Sequence, residues 1–320
     1  MRVCLLGEQG ERHDEGMKNM SMRLRRHLDG YVDNVRLVDL REVTSSGFWK
    51  ELRSFDADVV HLIPGPTPQG LAFLSVLGGW KSAKTVATTT QPRGTDVFPK
   101  LPSALRPDML MAQSASLRDQ FDSAGYRTSF LPSGVDLEKF STVPSETKRE
   151  LREKLELPVD RRLFLHVGHF KEGRNVMDLT ALQEFGEVIV IGSPSTGPEQ
   201  TIVDQLRSKG CHVVTRYVDA IEEYYQASDV YAFPVRSESH SIQVPLSVFE
   251  AMACGCPVVA TPFGGLGDCF DQGNGFRFVD RIDGVSESDL TFDDPEPREK
   301  VRAYSWDQIA KQTSQIYRQL

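Results

Sequence analysis

A carboxylate sits inside a helix that is otherwise almost wholly apolar. In "SIQVPLSVFEAMACGCPVVATPFGG", residues 241–265, Pro245 can open a helix because its missing N–H would be unpaired there anyway, and Gly255 followed by Pro257 closes it. Glu250 falls mid-helix. Leu246, Phe249 and Ala253 form one stripe, and Glu250 lies one turn after Leu246 beside it. A buried, unpaired carboxylate costs several kcal/mol, so the acid must reach solvent, hold a permanent partner or receive a ligand. Other chemistries lack their signatures. Gly7, Gly10 and Gly16 after the first apolar run do not make G-x-G-x-x-G, "VIGSPSTG" fails as well, and no P-loop is present, which disfavours hydride transfer with a nicotinamide cofactor. Cys254-x-Cys256 has no second Cys/His pair at ligand spacing, so it reads as small residues packed at a helix end and no metal site is expected.

The elements that would position Glu250 follow from hydrophobic periodicity. "RVCLLG", "NVRLVDL", "DVVHLIP", "KTVATTT" and "DMLMAQS" are short β-branched runs, with helical segments such as "MSMRLRRHL" and "LAFLSVLGGW" between several of them. The pattern pauses in "LPSGVDLEKFSTVPSETKRE" and restarts with "RLFLHVG", "EVIVIGS", "HVVTRY", "DVYAFP" and "PVVATP", separated by "PEQTIVDQLRSKG" and "IEEYYQASD". Such alternation predicts two doubly wound α/β halves with parallel sheets, whose ligands bind beyond the carboxyl ends of the strands. "YSWDQIAKQTSQIYRQL" closes the chain as an amphipathic helix with Trp306, Ile309, Ile316 and Tyr317 available for packing.

Composition narrows the class. With 320 residues, 39% hydrophobic and 26% charged, the chain is long enough for two globular domains, and disorder is not expected. A formal net charge of -8 argues against a general nucleic-acid binder. The first apolar run is too short for a signal peptide and no stretch approaches a membrane span, so the expectation is a cytoplasmic protein, or one peripheral to the inner face of a membrane. Five cysteines without a secretory signal are expected to be free thiols.

Five stretches in order, "LPSGVDLEKF", "HVGHFKEGRNV", "YYQASDVYAFP", "VFEAMACGCPVVATPFGG" and "YSWDQIA", resemble the retaining sugar-nucleotide glycosyltransferases of family 4. The resemblance covers nearly the whole chain. It implies the GT-B architecture of two facing Rossmann-like domains: an acceptor-side domain over 1–143, a donor domain over 144–304, and a C-terminal helix over 305–320 that returns to the first domain. It also implies a metal-independent transfer, with retention, from a nucleotide-diphosphate sugar, UDP- or GDP-linked, to a sugar, lipid-linked or small-molecule acceptor.

On that resemblance Glu250 accepts from the ribose hydroxyls of the donor, which suits a carboxylate with two oxygens facing two vicinal O–H groups. Aligned on Gly168, the family's arginine falls on His169 and its lysine on Arg174, so both basic types differ. Arg174 retains a bidentate grip on phosphate oxygens, His169 is charged only in part near neutral pH, and Lys171 is a spare cation or an ordinary solvated loop charge. Arg174 and Glu250 are the residues expected to carry the reaction, Arg174 by stabilising the departing diphosphate. The N–H of Gly16, at a helix start after the loop "GERHDEGMKN", is expected near the same phosphate, with further backbone donors around Phe263, Gly264 and Gly265. Leu246 and Tyr217 complete the donor set, Tyr217 as a stacking residue for the base.

Two departures stand out. The family's E-x7-E motif would place its first glutamate at Ile242, and the usual "E-G-F-G" reads "IQVP". Backbone amides of Gln243 and Val244, with Ser241 or the Gln243 side chain, then become candidates for donor-sugar hydroxyls, and Glu238 and His240 lie just upstream. The histidine that often follows a first-domain strand is replaced by Thr90 and Gln91. These departures keep open a catalytically silent sugar-nucleotide-binding or scaffold protein, and, further off, a sugar-nucleotide epimerase. Lys18, Arg23, Arg25, Arg26 and His27 in "MKNMSMRLRRHL" could meet an anionic membrane or a phosphorylated carrier, or form an ordinary solvated helix face.

Overall fold

The computed structural model describes residues 1–10, 16–194, 197–293 and 295–320. The chain divides into two compact units: Met1–Gly134 with Ile242–Val244 and Trp306–Leu320, and Val135–Ser241 with Pro245–Ser305.

The first unit is built on an all-parallel sheet of order β2-β1-β3-β4-β5-β6. Its strands are β1 (Arg2–Gly7), β2 (Asn34–Asp39), β3 (Val59–Leu62), β4 (Lys84–Thr88), β5 (Met109–Ala112) and β6 (Thr128–Phe130). Between them lie α1 (Gly16–Leu28), α2 (Ser46–Ser54), α3 (Pro68–Lys81) and α4 (Ala115–Ser123). Every residue of β3 and β5 is buried, as expected for parallel strands covered on both faces. Serine and threonine caps set the helix starts: Ser45, Thr67 and Ser114 side chains accept from the backbone N–H three residues on.

The second unit begins with α5 (Ser145–Lys154) and continues through β7 (Leu163–Val167), β8 (Glu187–Ile191), α6 (Gln200–Ser208), β9 (His212–Val214), α7 (Ile221–Ala227) and β10 (Val230–Phe233). Then follow α8 (Leu246–Ala253), β11 (Val258–Ala260), α9 (Leu266–Cys269), β12 (Phe276–Phe278), α10 (Glu287–Leu290) and α11 (Pro297–Val301). Its parallel sheet has the order β12-β11-β10-β7-β8-β9. Pro245 caps α8 and Gly255, at φ +78°, lies just beyond its end, in the left-handed region that glycine tolerates.

All ten apolar runs form strands, β1–β5 and β7–β11. The sequence reading missed β6 and β12. Each has three residues at a sheet edge, mostly half-buried, and so produces no continuous apolar run.

The last helix, α12 (Trp306–Tyr317), belongs to the first unit and packs on α1. Its apolar stripe, Trp306, Ile309, Ile316 and Tyr317, is buried. A Cβ on Gly134 would come within 2.6 Å of the Trp306 indole, so that glycine admits the ring. At the other end the Tyr317 hydroxyl lies 2.5 Å from Nδ1 of His61 in β3, whose Nε2 lies 2.7 Å from Thr88 Oγ1.

The two sheets reverse direction at different places. In the first the chain turns back between β1 and β3, and in the second between β7 and β10. At such switch points the loops leaving the carboxyl ends of the strands diverge and open a crevice, where ligands of doubly wound sheets bind.

Candidate functional site

Most of the chemistry of the second unit gathers at its switch point. The loop leaving β7 runs through Gly168, His169, Lys171 and Gly173 to Arg174, and the loop leaving β10 runs through Glu238 and His240 to Ser241. They meet at Arg174, whose Nη1 donates to the His240 carbonyl at 2.8 Å.

Arg174 is 6% exposed, and among the described residues no carboxylate forms an ion pair with it. Its Nε is buried with no hydrogen-bond partner. Burial lowers its pKa to about 10, so the guanidinium stays charged at neutral pH. A buried cation with one carbonyl partner and an unmatched N–H is held at a desolvation penalty that an anion would offset.

Glycines let the groups around it close in. A Cβ on Gly168 would lie 2.7 Å from His166 Nε2 and 3.1 Å from Arg174 Nη2. A Cβ on Gly173 would lie 2.2 Å from His240 Nε2, and Ser239 Oγ holds the other ring nitrogen at 2.9 Å. His166 was not singled out by the sequence reading, although a histidine inside the apolar run "LFLHV" was a signal for it. Its Nδ1 lies 2.9 Å from the Ala232 carbonyl, which makes Nδ1 the protonated nitrogen and Nε2 a buried acceptor without a partner. Burial, with the Arg174 charge nearby, lowers its pKa to about 3, so it is neutral.

Glu250 projects from mid-α8 and is half-buried. Tyr225 of α7 donates its hydroxyl to Glu250 Oε2 at 3.0 Å. The acid therefore has an internal partner, and this hydrogen bond comes from a neutral group. Burial and the adjacent Glu250 charge raise the Tyr225 pKa well above the ordinary phenol value, which keeps it a donor. Tyr231 lies beneath, its hydroxyl 2.7 Å from Ser247 Oγ and 3.2 Å from the Val167 carbonyl. Neither tyrosine was assigned a role from sequence, because an aromatic inside an apolar run looks like core.

The remaining sequence candidates divide. Lys171 pairs with Glu199 at 3.5 Å, both side chains well exposed, a contact that fits its reading as an ordinary loop charge. Ser241 and Leu246 are buried, while His169 and Tyr217 are half-buried on the loops after β7 and β9. Phe263 is buried against Phe233, with ring centroids 5.5 Å apart. Gly264 adopts φ +50°.

Ile242 and Gln243 belong to the first unit, although their neighbours on both sides belong to the second. Gln243 N–H donates to the Thr90 carbonyl at 2.8 Å, and Ser133 Oγ donates to the Val244 carbonyl at 2.9 Å while accepting from Gln113 Nε2 at 3.2 Å. Ile242 lies against Gly16, where a Cβ would be 3.0 Å from its Cδ1. The N-terminus of α1 thus has an apolar neighbour. Residues 11–15 of the loop before it lie outside the described residues.

The cations of α1 do not act as one face. Lys18 is buried, Arg23 and His27 are half-buried, and Arg25 and Arg26 are exposed. Among the described residues no group of three or more His, Cys, Asp or Glu side chains could hold a metal ion, and no helix is long and apolar enough to cross a membrane.

Comparison with known proteins adds to this geometry. The family described as Glycosyl transferases group 1 matches residues 165–287, most of the second unit. A provisionally described teichuronic acid biosynthesis glycosyltransferase, TuaC, of Bacillus subtilis (strain 168) is 31% identical over 171 residues, 51% of this chain and 41% of its own. A D-inositol 3-phosphate glycosyltransferase of Xylanimonas cellulosilytica is 32% identical over 219 residues, 60% of this chain and 51% of its own. The chain spans about half the length of the curated relatives it matches. Among solved structures, Anabaena Alr3699/HepE in complex with UDP-glucose matches over 100% of both chains with a TM-score of 0.74 at 16% identity. A glycosyltransferase from Rickettsia africae matches over 99% of this chain and 98% of its own, with a TM-score of 0.79 at 13% identity. At these identities the likeness concerns the fold, two Rossmann-like α/β domains of the GT-B kind.

Proposed function

This chain belongs, through the domain at residues 165–287, to the glycosyl transferases of group 1, and we propose that it moves a sugar from a nucleotide-diphosphate donor to an acceptor hydroxyl. The observation that carries this reading is Arg174, a charged guanidinium buried at the switch point with no carboxylate partner among the described residues and an unmatched N–H. A diphosphate supplies the missing counter-charge. When the bond between sugar and diphosphate breaks, negative charge grows on the leaving oxygen, and a fixed cation in a dry site stabilises that charge more than it stabilises the ground state.

Glu250 would hold the donor's ribose. The hydrogen bond from Tyr225 orients the carboxylate, whose two oxygens suit two vicinal hydroxyls. In the finer reading the donor is a UDP- or GDP-sugar, transfer proceeds with retention, and the Arg174 cation serves where a metal would otherwise neutralise the diphosphate. The acceptor is a sugar, a lipid-linked carrier or a small molecule. His169, Ser241, Leu246 and Tyr217 remain proposed contacts, as does Gly16. The Anabaena protein, which binds UDP-glucose, supports the donor class by analogy of fold.

Calorimetric titration tests both assignments at once, with UDP-glucose, GDP-mannose and inorganic pyrophosphate as probes. Arg174→Met is expected to weaken pyrophosphate and nucleotide sugar alike, by about a hundredfold. Glu250→Gln should leave pyrophosphate binding intact and weaken the nucleotide sugar about tenfold. Unchanged affinity in both variants would overturn the site. A silent, donor-binding protein is the second reading, favoured by the apolar Ile242 at the position of the family's first glutamate; slow hydrolysis of bound donor without acceptor excludes it.

A further inference from the structure

The sugar-transfer reading leaves one buried group at the switch point without a task. His166, the fourth residue of β7, is wholly buried, and its Nε2 has no hydrogen-bond partner among the described residues. The rest of the ring is firmly held. Nδ1 donates to the Ala232 carbonyl at 2.9 Å, and the ring stacks on Tyr231 with centroids 6.1 Å apart and planes 28° from parallel. Tyr231 is fixed in turn by Ser247 and the Val167 carbonyl. A ring held this way at one nitrogen presents the lone pair of the other in a set direction.

That direction leads to the guanidinium. Nε2 lies 2.7 Å from the position a Gly168 Cβ would take, and Arg174 Nη2 lies 3.1 Å from the same position, which in glycine holds only hydrogen. His166 is sealed from the surface, so a ligand does not reach Nε2 directly, whereas Arg174 is already beside it. A carboxylate is the ordinary match for a buried guanidinium, but it would cancel the charge. The acceptors around Arg174 are neutral instead: the His240 carbonyl at 2.8 Å from Nη1, and the His166 ring. Burial, with the Arg174 charge nearby, lowers the His166 pKa to about 3, so the lone pair is available at neutral pH.

We infer that His166 is a positioning residue for Arg174: when an anion binds, Nη2 donates to His166 Nε2 while Nη1 keeps the His240 carbonyl, which pins the guanidinium between two neutral acceptors with its whole charge left for the ligand. The inference rests on the reading of Arg174 as the cation of the diphosphate site. Because Nε2 has no partner in the ligand-free protein, this bond is gained only on binding and adds to anion affinity. Gly168 contributes by lacking a side chain, since a methyl group there would stand between the two nitrogens.

Calorimetric titration of the full chain with inorganic pyrophosphate tests it through three substitutions. Each loses the bond to the Ala232 carbonyl, so the differences among them report what faces Arg174. His166→Gln, which offers a neutral oxygen, should bind within about threefold of wild type, and His166→Phe, which offers no acceptor, about tenfold more weakly than wild type. His166→Glu should bind about a hundredfold more weakly, because its carboxylate pairs with Arg174 and cancels the charge. A merely structural histidine would rank the variants by melting temperature, with the stacked ring of His166→Phe at or above His166→Gln. Nitrogen NMR of the wild-type chain carrying labelled histidine gives a direct reading that does not depend on how well a variant folds: the unprotonated Nε2 resonance of His166 should move upfield as pyrophosphate is added. His166→Phe binding as tightly as His166→Gln, or an Nε2 resonance unmoved at saturating pyrophosphate, overturns the proposal and leaves the anion site standing. Arg174→Met that binds pyrophosphate like wild type overturns both.

Discussion

Both units place polar side chains at the carboxyl ends of parallel strands, yet only the second leaves a buried charge short of partners. In the first unit His61 has Tyr317 on one ring nitrogen and Thr88 on the other, Thr89 Oγ1 accepts from Gln113 N–H, and Gln113 Nε2 and Ser133 pass a chain of hydrogen bonds to the Val244 carbonyl. In the second, Arg174 and His166 lie on either side of Gly168, each with a buried nitrogen that has no partner. Gln113 Oε1 in the first network also lacks a partner, but it is a neutral acceptor, whereas the unmatched N–H of the second belongs to a buried charge, and a buried charge short of partners marks a place shaped for a ligand. The contrast separates a structural network from a binding site on the same kind of sheet.

Acid should reveal what the two regions share. His61 and His166 are both buried neutral, each with a pKa lowered to about 3 by burial. Their folded values lie below the unfolded value, so the unfolded chain takes up the proton first and stability falls as pH drops from about 6.5 toward 3. Between pH 7 and pH 5 each histidine should remove about 2 kcal/mol from its own unit, read from urea unfolding at the two pH values. A flat profile would mean that one or both rings are not buried neutral.

Substitution should then separate them. His61→Phe strands the Tyr317 hydroxyl and Thr88 Oγ1, and is expected to cost about 3 kcal/mol in urea unfolding while leaving pyrophosphate affinity unchanged. Arg174→Met removes an uncompensated buried charge, so the ligand-free protein should gain about 1 kcal/mol even as anion affinity collapses. A large loss of stability in Arg174→Met would break the comparison, because it would make the arginine structural. The mildest change is Gly173→Ala, whose Cβ would displace the exposed His240 ring. It should cost under about 1 kcal/mol of stability and weaken pyrophosphate several-fold by loosening the loop that holds Arg174 at the His240 carbonyl.

Much of this was legible in the chain itself. Apolar runs separated by stretches of helical period marked ten strands, the eight inner ones and the edge strands β2 and β9, and with them the two-half α/β plan, because burial on both faces of a parallel sheet demands such runs. Pro245 and Gly255 framed α8 and made Glu250 conspicuous, since a charge in an apolar helix is costly wherever the helix packs. The resemblance marked Arg174 among three neighbouring basic residues, but the sequence could not say which was buried.

Only the tertiary structure decided that. Lys171 is drawn off by Glu199, some 28 residues away in the chain, and Arg174 is buried against a carbonyl 66 residues away. Tyr225, a partner of Glu250, comes from a different helix, and His166 gains its role from a glycine two positions on that lets the guanidinium approach. Gln243 and Val244, neighbours of the second unit in sequence, are held in the first by Thr90 and Ser133. Periodicity reports which face of an element is buried. Whether a polar group on that face meets a partner is set by contacts between elements distant in the chain, and no local pattern encodes them.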